Sequence, residues 1–142
     1  MNQRPWMRSS TLQTIPPLRF RRLWQTVGVL LIGFVIHMSL TPEPIAIPLD
    51  GGDKYGHVLA YATLMFWFAQ LHDDSRARIG WAVTFIAMGI GIEFLQRLTG
   101  YRTFEIADMV ASALGVFAGW VAAPPRSPHL LRCIEAHWPA GP

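Results

Sequence analysis

The chain has 142 residues, 51% of them hydrophobic and only 15% charged, with a net charge of +3. An ordinary globular chain is about 25% charged; here the apolar residues also gather into long blocks, which argues against a water-soluble domain. The basic residues flank those blocks and form no stripe, which argues against nucleic acid as a partner; the single cysteine, Cys133, excludes a disulfide within this chain and a cysteine-based zinc site.

Residues 1–22 form a basic arm interrupted by Pro5, Pro16 and Pro17, expected to lie unstructured against anionic lipid. Four apolar blocks follow, at 23–40, 55–71, 79–95 and 106–123. Each is close to the roughly 17–25 residues that a helix needs to cross a bilayer. Arg19, Arg21 and Arg22 precede the first block as in a signal peptide. It is longer than the usual core of about 7–15 residues and no A-x-A site follows, so it reads as an uncleaved span. The first connector, 41–53, is rich in proline and glycine, while 72–78 and 96–105 are short and polar, which makes consecutive helices antiparallel neighbours. The expected fold is all-α, a four-helix transmembrane bundle. The tail, 124–142, opens with Pro124-Pro125. Its segment 129–138 places Leu130, Leu131, Ile134 and Trp138 on one helical face, as in a helix lying in a membrane interface.

Orientation follows from the distribution of lysine and arginine. Arg4, Arg8, Arg19, Arg21, Arg22, Arg76, Arg78, Arg126 and Arg132 fall on one side of this layout; Lys54, Arg97 and Arg102 fall on the other. The positive-inside bias puts both termini and the 72–78 connector in the cytoplasm. Trp24, Trp67, Trp81 and Trp120 then all lie at the cytoplasmic interface, where amphipathic indole rings prefer to sit.

The same layout gathers polar residues at the outer end. Asp53, Lys54 and His57 open the second span, with Tyr61 one turn further in. Glu93 and Gln96 close the third span; Arg102 and Glu105 lie in the outer connector; Asp108 and Ser112 open the fourth. Spacings of three or four residues let those within a helix share a face. A charge at the centre of a span costs roughly 2.5–3.5 kcal/mol, whereas each Leu, Ile, Phe or Val returns about 0.3–0.6. Such acids are tolerable near span ends with partners. The plausible cationic partners are Lys54 and Arg102, facing the carboxyls of Asp53, Glu93, Glu105 and Asp108. That excess of acid suggests a bound cationic group, a protonated carboxyl or a charged His57. Intramembrane carboxylates usually mark a site.

Blander roles stand beside this reading. Asp53 could cap the second helix, Lys54 and Arg102 could reach to head groups, and Ser112 could bond its own backbone. Ala111, Gly115 and Gly119 repeat every fourth residue, so another helix can approach closely there, with Gly89 and Gly91 doing the same for the third span.

At this cluster the sequence resembles the VanZ-like family of small bacterial membrane proteins. The resemblance rests on Ser39-Leu40-Thr41-Pro42, Asp53-Lys54-x-x-His57-x-x-x-Tyr61, Glu93-x-x-Gln96, Arg102 and Asp108-x-x-x-Ser112-x-x-Gly115. Ser112 stands where the family usually has asparagine. The family takes its name from a member associated with low-level teicoplanin resistance, so the resemblance implies a cell-envelope setting in the cytoplasmic membrane. The leading expectation is a non-enzymatic protein whose cluster binds the head group of a membrane lipid or of a lipid-linked cell-wall precursor. Lys54 and Arg102 would take the anionic part and the acids the cationic part. One alternative is an intramembrane enzyme with Glu93 or Asp108 as general acid/base and His57 as partner; another is a structural assembly partner. Asp53, His57, Glu93 and Asp108 could together ligate a divalent metal, but the nearby Lys54 and Arg102 disfavour it. No cofactor or metal is expected.

Overall fold

The computed structural model describes residues 17–42 and 51–138. Most of the basic arm, the centre of the first connector and the last four residues of the tail lie outside the described residues. Five helices and no strand occur among the described residues, so the chain is all-α: α1 (Arg21–Leu40), α2 (Gly52–Leu71), α3 (Ser75–Thr99), α4 (Ile106–Ala122) and α5 (Leu130–His137). Two of them, α1 and α3, are long and apolar enough to cross a membrane by length and composition, and α4 is a shorter apolar helix.

The helices overrun the apolar blocks at their polar ends. α3 starts at Ser75 because the Asp74 side chain accepts the Ala77 amide at 2.9 Å, an N-cap that satisfies one of the free donors of the first turn. It ends at Gly100, whose φ of 76° is the left-handed turn in which glycine closes a helix. The connectors expected at 72–78 and 96–105 are therefore shorter than their polarity suggested. α2 also starts earlier than its apolar block, behind Gly51 at φ 72°. Asp53 consequently sits in the first turn and does not cap the helix.

Packing centres on α2, which touches all four other helices and meets α4 most extensively. α2 and α4 run parallel, because their N-terminal turns share ion pairs and their close contacts advance together along both chains. Gly115 and Gly119 set this seam. A Cβ on Gly115 would stand 2.5 Å from the carbonyl oxygen of Val58, and one on Gly119 would collide with that of Ala62. Only hydrogen in place of a side chain lets the two backbones come this near. Gly89 makes the corresponding contact between α3 and Ser112, with a Cβ placed 2.9 Å from the serine Cβ. Gly91, expected to do the same, faces open space. A helical residue two positions from Gly89 points to another side of the cylinder.

The interior is apolar at its centre, with Tyr61, Leu64, Met65, Phe68, Phe85 and Val116 all buried. Polar groups are buried too: Gln70, Glu93, Gln96, Asp108 and Ser112. The outer surface is the reverse. Val29, Leu30 and Phe34 on α1, Leu59 on α2, Val83 and Leu98 on α3, and Ile106, Leu114 and Phe117 on α4 are all more than half exposed.

One end of the bundle is aromatic. Trp24 meets Trp67 edge-on at 5.9 Å, and Trp81 packs on Phe68 and Phe85 at 4.0 and 5.6 Å. Trp120 lies in the last turn of α4 and so at the same end. α5 crosses beneath this layer. Glu135 accepts the backbone amides of Arg19 and Phe20 at 2.6 and 2.8 Å and the Trp24 indole N–H at 2.7 Å. Its carboxylate thus closes the N-terminus of α1, which has no side-chain cap of its own. The apolar face read from the sequence is divided: Leu131 is buried against the bundle, while Leu130, Ile134 and Trp138 stay outside. Leu130 and Leu131 are neighbours roughly 100° apart around a helix of 3.6 residues per turn, so one of them can turn inward.

Candidate functional site

The other end of the bundle is polar, and α2, α3 and α4 all contribute to it. The first turn of α2 presents Lys54, whose Nζ lies 3.1 Å from Asp53 Oδ2, 2.9 Å from Glu105 Oε2 and 3.7 Å from Asp108 Oδ1. The ammonium thus stands among three carboxylates from α2, from the connector before α4, and from α4 itself. One oxygen from each of these acids lies within 4.8 Å of the other two, close enough to share a cation. Lys54 supplies that cation from the chain. His57 and Glu93, proposed from the sequence as metal ligands beside Asp53 and Asp108, are not among these three.

One turn further in, His57 links two residues of α4. Its Nε2 is 3.6 Å from Asp108 Oδ2, and its Nδ1 is 3.3 Å from Ser112 Oγ. Asp108 and Ser112 are four residues apart, so they lie one above the other on the helix and bracket the imidazole. Tyr61, four residues after His57, stacks its ring parallel to the imidazole at 6.5 Å between centroids. Its hydroxyl is buried and, among the described residues, has no hydrogen-bond partner, and the same is true of Asp108 Oδ1. Six of the nine site residues proposed from sequence, Asp53, Lys54, His57, Tyr61, Asp108 and Ser112, thus converge at this end, while Glu93, Gln96 and Arg102 join through the backbone.

The roles of those last three differ from the expectation. Glu93 is 1% exposed and its Oε1 accepts the backbone amide of Glu105, so it anchors the turn that leads into α4. It does not meet His57 as an acid/base pair. Gln96 donates to the Ser39 carbonyl at 2.8 Å, Arg102 approaches the same oxygen at 3.5 Å, and Tyr101 donates to the Leu40 carbonyl at 2.6 Å. The last carbonyls of a helix have no partner within it, and these three side chains serve those of α1. Arg102 forms no ion pair with the acids among the described residues. Among the described residues, Lys54 is the lysine or arginine set among the carboxylates of Asp53, Glu105 and Asp108, so acid still outnumbers base there.

Glu105 is the residue that the sequence reading left out of the site. It was counted as an acid of the outer connector, yet it makes the shortest of the three contacts to Lys54. Its place three residues before Asp108, at the N-cap position of α4, was the available signal. Acids at a helix N-terminus are favoured by the exposed amides and the dipole there.

No family model and no solved structure matches the chain. The chain is 31% identical over 101 residues to the uncharacterized protein C11E3.10 of the fission yeast Schizosaccharomyces pombe, an alignment that covers 69% of this chain and 62% of that protein. The chain therefore spans less than two thirds of that relative's length.

Proposed function

We propose that this is a four-span protein of the cytoplasmic membrane, of the VanZ-like kind, whose polar end binds a lipid head group carrying an ammonium. One observation carries the membrane reading: the bundle buries carboxylate, amide and hydroxyl groups while leaving large apolar side chains exposed around its flanks. In water that arrangement forgoes hydrophobic stabilisation; in lipid it is the favourable one. The excess of lysine and arginine at the aromatic end supports cytoplasmic termini and an outward-facing polar cluster. The resemblance to the VanZ-like family supports a cell-envelope setting.

Three carboxylates around one ammonium favour a cationic ligand group over an anionic one. Lys54 is held by acids, and Arg102 turns to the end of α1, so neither is free to lead the binding of a phosphate. Similarity to a fungal protein weighs toward a head group common to many membranes and away from a precursor confined to bacterial walls.

Two measurements test this. Reporter fusions after Leu71 and at the C-terminus should be active in the cytoplasm, and one within 44–52 should be exposed outside. Protein reconstituted with equal ethanolamine- and glycerol-headed phospholipids should retain the ethanolamine lipid preferentially on purification, and Glu105→Gln should lose that preference while staying folded. Retention without preference in the wild type defeats the head-group reading. Glycopeptide susceptibility on overexpression is the cellular assay that the resemblance suggests.

A further inference from the structure

We infer that the buried inner face of this site is a nucleophilic centre, with Ser112 poised to cleave an acyl ester of a membrane lipid. The inference deepens the head-group reading and rests on it. It is carried by a carboxylate, an imidazole and a hydroxyl that stand in order, each close to the next. Asp108 Oδ2 lies 3.6 Å from His57 Nε2, and His57 Nδ1 lies 3.3 Å from Ser112 Oγ. A nucleophile within reach of a base that is itself oriented by a third group is the arrangement that activates serine, and such contacts are often loose before substrate binds. In the tautomer protonated on Nε2, the imidazole donates toward Asp108 and offers the Nδ1 lone pair to the serine O–H.

A second, independent observation points to the same spot. The Tyr61 hydroxyl is buried and lacks a partner among the described residues. Its ring end and Ser112 Oγ meet over Gly89, 3.4 and 3.2 Å from where a Cβ of that glycine would be. A buried hydroxyl beside the nucleophile can donate to the negative oxygen of a tetrahedral intermediate. Depth selects the substrate. Ser112 follows the start of α4 by about 9 Å at 1.5 Å per residue. The polar layer of a bilayer is roughly 5–8 Å thick on each side, so that depth corresponds to the ester carbonyls beneath the head groups.

The chemistry closes with water as the other reactant. Ser112 Oγ bonds to the ester carbonyl carbon while its proton passes to His57 Nδ1. The intermediate collapses by breaking the bond to the alcohol oxygen, which leaves with the proton from His57. Water, giving a proton to His57, then attacks the acyl-serine; the carboxylic acid departs and the serine oxygen recovers its proton. Asp108 is a positioning residue, holding the imidazole and balancing its charge. Ser112 is 2% exposed, so entry of substrate requires α3 to move away from α4 at the Gly89 contact.

The test uses the full chain in nanodiscs of ethanolamine- and glycerol-headed phospholipids, treated with a long-chain alkyl fluorophosphonate. Mass spectrometry should find the adduct on Ser112. It should vanish in Ser112→Ala, form about a hundredfold more slowly in His57→Asn, and shift its pH profile in Asp108→Asn. A folded wild type that stays unlabelled, or is labelled equally fast without His57, overturns the inference. Lipid preference in the same discs is read separately: an unlabelled protein that still selects the ethanolamine lipid keeps the binding site and loses the enzyme.

Discussion

The two ends of the bundle use charge in opposite ways. At the aromatic end, individual charges are spent on backbone. Arg78 donates to the carbonyls of His72, Ala69 and Pro124, tying the C-terminus of α2 to the connector after α4. Glu135 is matched likewise by two amides and an indole. At the polar end, Lys54 is shared among three carboxylates, and the Asp108 Oδ1 and Tyr61 hydroxyl oxygens have no hydrogen-bond partner among the described residues. A charge that completes backbone hydrogen bonding is explained by the fold. An ammonium shared among three carboxylates is not, and that difference separates a structural end from a candidate site. The aromatic end has a looser pair as well, Arg132 with Asp73, and unpartnered buried atoms on Gln70, Ser127, His129 and Arg132 among the described residues, but no cation there gathers three carboxylates.

The α2–α4 seam holds both ends in register, so breaking it should have the largest effect. Gly115→Leu forces a side chain into the Val58 carbonyl and should cost about 3 kcal/mol, seen as lost folded yield on size-exclusion chromatography. Phe117→Leu, on the exposed face of the same helix, is the control; Val116 is itself buried and cannot serve. Equal yields would remove the seam from the account.

Arg78→Met should come next, at about 2–3 kcal/mol, because it strands carbonyls at a helix end. Thermal melting in detergent measures this, and lipid selection by the surviving folded protein should be unchanged. A selective loss of lipid binding would blur the distinction between the ends.

Glu135→Gln should cost about 1 kcal/mol and alter the response to acid. Burial pushes the Glu135 carboxyl up, but the amides of Phe20 and Arg19 and the Trp24 indole outweigh it and hold it below its ordinary value of 4.5. Its contribution is therefore complete above pH 4.5 and disappears as the pH falls through the lowered value. The wild type should lose melting temperature across that acidic window, and the gap between it and Glu135→Gln should close. A gap that persists to low pH would mean that the carboxylate is not the clamp.

Asp108→Asn should perturb stability least, by under about 1 kcal/mol, since it removes one acid from a surplus and keeps the side chain's shape. It should nevertheless abolish the preference for an ammonium-bearing lipid. A stability loss as large as that of Arg78→Met would make the polar end structural after all.

Much of this was legible in the sequence because it depends on local pattern. Apolar blocks of span length mark helices, glycine and proline mark their breaks, and residues four apart share a face; Asp108 and Ser112 could be paired without coordinates. Partnership across helices was not legible. Arg102 looked like a counter-ion because like residues were counted by region, yet its guanidinium reaches the free Ser39 carbonyl at the end of α1 and pairs with no carboxylate among the described residues. Glu93 looked like a catalytic acid because a buried carboxylate is costly; that its Oε1 accepts the backbone amide of Glu105 is a partnership no sequence spacing reveals.

By itself, the sequence determined that the chain is helical, where its helices run, and that acids and bases collect towards one end of them. Those properties follow from composition and periodicity along a single strand of chain. Only the tertiary structure decided that α2 and α4 lie parallel at glycine distance and that Lys54 is surrounded while Arg102 is diverted. It also decided that His57 stands between Asp108 and Ser112 and that Leu131 turns inward. Each of these depends on which face of one helix meets which face of another, and hydrophobicity, having no direction, does not encode that choice.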